Sequence, residues 1–219
     1  MSRERTTGSV RFAARFAAVL AGLLLIEAVP AAAGAPQEHD QFFMRASAGL
    51  CAGNAKLESG GFKAELRDPG LDVNIAVGYT VMPNLAVHAT LWGWGLNDPD
   101  TDVSGSFGGS TLPNHGIFEM TAFGAGATYF VMPLNAYVSS SIGLGAFTGT
   151  DELDGQSERG LAVDVTAGKE WWVNDDWGAG AALSFGYASA DDKDLGPSTL
   201  PRGSLTGTSW ALRFTATFN

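Results

Sequence analysis

Apolar and polar side chains alternate with period two along this chain, in blocks of about 10 to 15 residues. The clearest block runs from Leu71 to Val81. Its odd positions, Leu71, Val73, Ile75, Val77, Tyr79 and Val81, are apolar or aromatic, whereas its even positions are Asp72, Asn74, Ala76, Gly78 and Thr80. Leu161 to Val173 repeats the scheme, with Asp164, Thr166 and Glu170 on the polar parity. Trp177 to Tyr187 sets Trp177, Leu183 and Phe185 against Gly and Ser, and the last block sets Trp210, Leu212, Phe214 and Phe218 against Ser209, Arg213, Thr215 and Thr217. Gln41–Gly53, Asn84–Leu96, Phe118–Val131 and Ala136–Phe147 complete the set. The pattern predicts eight strands, an even number, as single-chain bacterial membrane barrels have.

The connections alternate in length. Met82-Pro83-Asn84, Met132-Pro133-Leu134-Asn135 and Asn174-Asp175-Asp176 are short, while Asn54–Pro69, Asn97–Gly116, Thr148–Gly160 and Ser189–Ser204 are long and polar. Short turns on one side and long loops on the other fit a transmembrane barrel. Tyr79-Thr80-Val81-Met82-Pro83 returns as Tyr129-Phe130-Val131-Met132-Pro133. This is one two-hairpin unit repeated, and not a solenoid period.

Period alone does not separate a membrane barrel from a soluble lipocalin-type barrel, whose apolar face points inward. Composition separates them better. Charged residues make up 16% of the chain, and 29 of its 219 residues are glycine, so it is charge-poor and Gly-rich against a typical soluble domain. The polar parity holds Gly, Ala, Ser and Thr with isolated charges, where a soluble protein's water face would be rich in Lys and Glu. The small parity therefore fits the narrow interior of an eight-stranded barrel, and the large residues are expected to face lipid. Tyr79, Tyr129, Tyr137, Trp171, Trp172 and Trp177 lie beside the short turns, where rings with a polar tip form an aromatic girdle at headgroup depth. Lys169 and Glu119 break the parity rule. A formal charge of −10 argues against a nucleic-acid surface.

The first residues read as an address. Arg3, Arg5, Arg11 and Arg15 precede an apolar run from Phe16 to Ile26, and Ala31-x-Ala33 supplies a small-residue cleavage signal. The expectation is a cleaved signal peptide over 1–33, a short tail over 34–40 and a barrel domain over 41–219. Loss of four Arg and two Glu takes the mature charge to −12.

The barrel region resembles the small outer-membrane β-barrel proteins of Gram-negative bacteria, the OmpA/OmpX-like class. The carriers are Thr128–Tyr137, Gly168–Gly178 and the last strand. The resemblance implies an all-β fold, an eight-stranded antiparallel up-and-down transmembrane barrel with long extracellular loops and short periplasmic turns. It implies a Gram-negative outer-membrane location, a monomer among outer-membrane lipids and lipopolysaccharide, and contact with the outer-membrane assembly machinery. That machinery reads a terminal strand with an aromatic end. Trp210, Leu212, Phe214 and Phe218 are the expected signal, although Phe218 is penultimate and Asn219 is last.

Candidate chemistry is sparse. Arg45, Asp72, Asp164, Glu170 and Arg213 share the lumen parity and are expected to pair, since lone charges in a narrow interior are costly. Their roles divide between a stabilising polar filling and an ion-selecting lining. Asp98, Asp100 and Asp102, with the runs at Asp151–Asp154 and Asp191–Asp194, offer oxygens of the kind that divalent cations take, but without the spacing of an EF-hand. They read as solvated loop charge first. His88 and Thr90 share a face, with Glu119 on the next strand, which leaves a lipid-modifying enzyme as a third reading. Cys51, the lone cysteine, forms no intramolecular disulfide and is expected on the lumen face. No metal site and no cofactor is expected. The leading expectation is a non-enzymatic structural or surface-interaction barrel, with a narrow pore for ions or small solutes as the alternative.

Overall fold

The computed structural model describes residues 39, 42–105, 108–113, 115–151, 154–191 and 203–218. The expected signal peptide, all of the tail except His39, Gln41, Glu152, Asp192, Asp194 and Asn219 lie outside them. Eleven strands follow in order: β1 (Phe42–Ser59), β2 (Phe62–Met82), β3 (Leu85–Asn97), β4 (Asp100–Gly105), β5 (Gly108–Pro113), β6 (Ile117–Val131), β7 (Ala136–Gly149), β8 (Gly155–Gln156), β9 (Gly160–Trp172), β10 (Trp177–Asp191) and β11 (Ser204–Phe218).

All pairings are antiparallel. The sheet runs β1-β11-β10-β9-β7-β6-β3-β2, and β2 pairs back to β1. Eight strands therefore close a barrel with no free edge in its wall, which is how a sheet satisfies every backbone group without water. β4 and β5 form a side hairpin on the outer end of β2, and β8 pairs with the end of β7. The short connections gather at one end of the barrel and the long ones at the other.

The eight expected blocks coincide with the eight strands of the wall. The first long loop is different. Asn54–Pro69 reads as loop in the sequence and is mostly strand in the structure: β1 has 18 residues and β2 has 21, about twice the 9–11 residues that cross a bilayer. Alternation persists through it. Ala55, Ala64 and Leu66 are buried, while Lys56, Glu58, Lys63 and Arg67 are exposed. Dense charge on the outward face looks like loop in a sequence, yet here it marks a strand leaving lipid for water. Gly60 and Gly61 make the tip with φ of 56° and 85°, the left-handed pair that a two-residue hairpin turn requires. Asn97–Gly116 likewise contains the β4–β5 hairpin.

Candidate functional site

The interior is filled in three levels. At the long-loop end Trp92, Trp94, Leu96, Phe118, Met120, Phe147 and Leu205 pack together and are at most 3% exposed. They depart from the simple expectation that large residues face lipid and small polar ones the lumen. The reason lies on the opposite wall, where Ala162, Ala188, Ala190, Ala211 and Gly207 leave volume for rings. A Cβ at Gly207 would stand 2.6 Å from Phe147 Cε1 and 2.9 Å from Trp94 Cζ2.

The middle level is polar. Arg213 projects from β11 and meets carboxylates from two strands that do not adjoin its own. On the β2 side its Nε donates to Asp72 Oδ1, and its Nη2 donates to Asp72 Oδ2 at 3.0 Å. On the β9 side Nη2 donates to Asp164 Oδ2 at 2.7 Å, and Nη1 donates to Asp164 Oδ1 at 3.0 Å and Thr166 Oγ1 at 2.9 Å. Gly49 lies between Asp72 and Arg213 in the register, and a side chain there would strike the Leu212–Arg213 backbone. Asn74 Nδ2 donates to Asp164 Oδ1 at 3.3 Å. One cation thus meets two carboxylates, all three 3% exposed or less. Such geometry offsets the large desolvation cost of buried charge.

Toward the short turns, Arg45 donates from Nη2 to Ser139 Oγ at 2.8 Å and lies over the Tyr137 ring at 4.6 Å. Glu170 accepts from Thr215 and Thr217 at 2.9 and 2.6 Å. The expected charge network is therefore divided: Arg213, Asp72 and Asp164 meet, while Arg45 and Glu170 each bind hydroxyls. His88 contacts Thr90 and Thr128 at 2.6 and 3.0 Å, continuing the hydroxyl chain to Ser139. At the mouth itself Phe43, Phe130 and Tyr137 form a second apolar cluster. His39 stacks on Phe130 with centroids 3.5 Å apart, and its Nε2 lies 3.0 Å from Asn135 Oδ1.

The exterior is the opposite of a soluble surface. Leu50, Ile75, Val77, Leu91, Phe123, Val138, Ile142, Leu144, Leu183, Leu212 and Phe214 stand 41–76% exposed around the wall. A continuous apolar belt on a closed antiparallel barrel is stable against lipid and not against water. The fold is that of a small outer-membrane β-barrel. No protein-family model matches the chain, and no curated protein matches it. Among solved structures, Neisserial surface protein A is similar at 18% identity over 78% of this chain and 95% of its own, with a TM-score of 0.43. The outer membrane protein OprG from Pseudomonas aeruginosa is similar at 11% identity over 84% and 98%, with a TM-score of 0.49. The outer membrane protein AlkL is similar at 14% identity over 89% and 97%, with a TM-score of 0.44.

The remaining candidates sort by face. Tyr79, Tyr129 and Trp171 are 58%, 54% and 59% exposed on the wall near the short turns. Trp177 is half-buried there against Phe218, 5.2 Å away. Tyr137 does not belong to that girdle: it is 2% exposed inside the barrel, because its parity is that of Ser139 and Ser141. Trp210, Leu212 and Phe214 face outward on β11. Lys169 also faces out, its Nζ 5.8 Å from the Trp171 ring centre, as a snorkelling lysine does. Glu119 lies opposite Gly95 on the outward parity of β6, while His88 and Thr90 are buried inside; the three are not brought together. Cys51 is buried in the long-loop level of the lumen. Asp98 accepts from the Gly116 amide at 2.9 Å and Asp102 from Thr111 at 2.6 Å, so both carboxylates hold loop backbone or neighbouring strand. Among the described residues no group of three His, Cys, Asp or Glu gathers to hold a metal. Sequence reasoning does not find the aromatic level in the lumen, although Trp92 and Trp94 share parity with His88 and Thr90.

Proposed function

We propose that the chain is a non-enzymatic integral protein of the Gram-negative outer membrane, with a closed lumen and its working surface at the long-loop end. The observation that carries this reading is the layering of the interior. A packed aromatic level lies over the Arg213 ion cluster, and a second apolar cluster lies at the opposite mouth. An ion crossing the barrel would have to push through both apolar levels and past a multiply bonded cation.

The long-loop end, by contrast, is a built structure. The β1–β2 hairpin and the β4–β5 hairpin form one sheet beyond the apolar belt. We take this end as extracellular, and the short turns as periplasmic. Lipids and lipopolysaccharide surround the wall, Trp210, Leu212 and Phe214 present the outward face of the last strand to the assembly machinery, and the closed wall suits a monomer. Residues 1–33 act as the export signal.

The test is conductance of the refolded protein in a planar bilayer. A folded, silent barrel is expected. Discrete openings from the unaltered protein would overturn the closed-lumen reading in favour of a narrow pore.

A further inference from the structure

Two buried charges near the short turns are each satisfied on one side only. Arg45 uses Nη2 on Ser139, but its Nη1 has no protein acceptor. Glu170 receives Thr215 and Thr217 at Oε1, but its Oε2 has no protein donor. Asn135 Nδ2 is also without a protein partner. The residues are 2%, 1% and 3% exposed respectively. Tyr137 Oη, on whose ring Arg45 lies, and Thr80 Oγ1 are likewise without a protein partner. A buried polar atom left unpaired costs about 1–3 kcal/mol, and more when charged, so such a group in one region of one lumen calls for an explanation.

Glu170 and Asn135 are neighbours, and Arg45 stands at the same height of the barrel. Glu170 N donates to Asn135 O at 3.0 Å. Arg45 lies opposite Thr217, and Thr217 opposite Gly178. The point where a Cβ on Gly178 would stand is 3.1 Å from Glu170 Oε2 and 3.8 Å from Asn135 Nδ2. Arg45 and Glu170 nevertheless form no ion pair with each other. Something must stand between an N–H donor on a cation, an acceptor on an anion and an amide donor. A cation there would face Arg45 and an anion would face Glu170, so the occupant is neutral, donates and accepts, and is small. Water meets those terms, having about three hydrogen bonds in a typical buried site. The indole Nε1 of Trp94 also lacks a protein partner, but it is a neutral donor on a ring packed against Phe118 and Phe147, and a lone donor does not hold a buried water.

We propose that the short-turn half of the lumen holds a bound-water site bridging Arg45 Nη1, Glu170 Oε2 and Asn135 Nδ2, while the aromatic level beneath the long loops is dry. Exchange with bulk runs past His39, whose ring contacts Asn135 at the mouth. The site makes Arg45 and Glu170 a water-bridged pair, and the barrel a hydrated half-chamber with a dry lid.

The experiment is water-edited solid-state NMR of the full folded chain in lipid bilayers, with labelled Arg and Trp. Transfer from water to the Arg45 guanidinium is expected to build up at least twofold faster than transfer to the Trp94 indole N–H. Gly178→Ala, which adds a methyl beside Glu170 Oε2, is expected to slow the Arg45 build-up. Equal, slow build-up at Arg45 and Trp94 overturns the water site. Equal, fast build-up overturns the dry lid. The wild-type comparison decides the matter even if Gly178→Ala does not fold. Because the comparison reads water contact and not current, its failure is distinguishable from failure of the conductance test.

Discussion

Arg213 Nη2 and Asp164 Oδ2 meet at 2.7 Å although β10 stands between their strands. The guanidinium therefore clamps across the barrel interior, holding β11 to β9 through Asp164 and to β2 through Asp72. Arg213→Met would leave two carboxylates buried near one another with no cation. A loss of about 3–5 kcal/mol is expected, the cost of breaking a buried pair from one side. Urea unfolding in lipid vesicles measures it. Adding Asp72→Leu and Asp164→Leu should restore much of the loss, since a well-packed apolar replacement is often neutral.

Tyr137 and Tyr129 lie in the same turn region but on opposite faces, 2% and 54% exposed. Tyr137→Ala removes a packed ring and the surface on which Arg45 rests, so about 3–5 kcal/mol is expected. Tyr129→Ala removes a ring that lipid can replace and should cost much less. The same unfolding assay compares them; equal losses would contradict the assignment of faces.

The aromatic level should act as the main seal. The triple change Trp94→Ala, Phe118→Ala and Phe147→Ala removes three rings that touch one another, with centroids 5.8–6.3 Å apart. Conductance is expected to appear in planar bilayers where the parent is silent. A folded triple variant that stays silent would place the seal at the ion cluster or at the Phe43, Phe130 and Tyr137 cluster of the opposite mouth instead.

Asp68 lies above the apolar belt, where burial and then the charges of Asp100 and Asp98 push its carboxyl above the usual range. A carboxyl raised in the folded state destabilises that state when ionised. Stability is therefore expected to be gained as pH falls through the raised pKa toward the unfolded value, and lost as pH rises back through it. Amide exchange at Asp98 and Asp100 should slow on acidification from neutral pH, after correction for intrinsic rates. Asp68→Asn should remove most of that pH response.

Much of the wall is legible in the sequence because period two does not depend on what each face meets. Parity alone places Asp72, Asp164 and Arg213 inside. Tyr137, Trp92 and Trp94 carry the same parity signal as Ser139, His88 and Thr90, but their size suggests lipid. What places them inside is the volume left by Ala188, Ala190, Ala211 and Gly207, residues on strands far away in the chain. Volume complementarity across a barrel depends on pairing register and stagger, which local alternation does not contain. Arg45 and Glu170 group with Arg213 in the sequence for the same reason: parity gives a side, and register gives a height. The strand over Asn54–Pro69 is hidden by its charge, because alternation between apolar and ionic residues is also what a solvated loop can show by chance.

That extended hairpin has a mechanical consequence. From Phe42 to Ser59 on β1, and from Phe62 to Tyr79 on β2, the ladder between the two strands has no break. Cross-strand pairs Lys56–Glu65 and Lys63–Glu58, at 3.4 and 2.8 Å, brace the segment beyond the belt. No joint separates the tip at Gly60-Gly61 from the wall in the bilayer. A tug on the tip is carried as shear along the same hydrogen bonds that close the cylinder, so the hairpin is a rigid lever and not a tether.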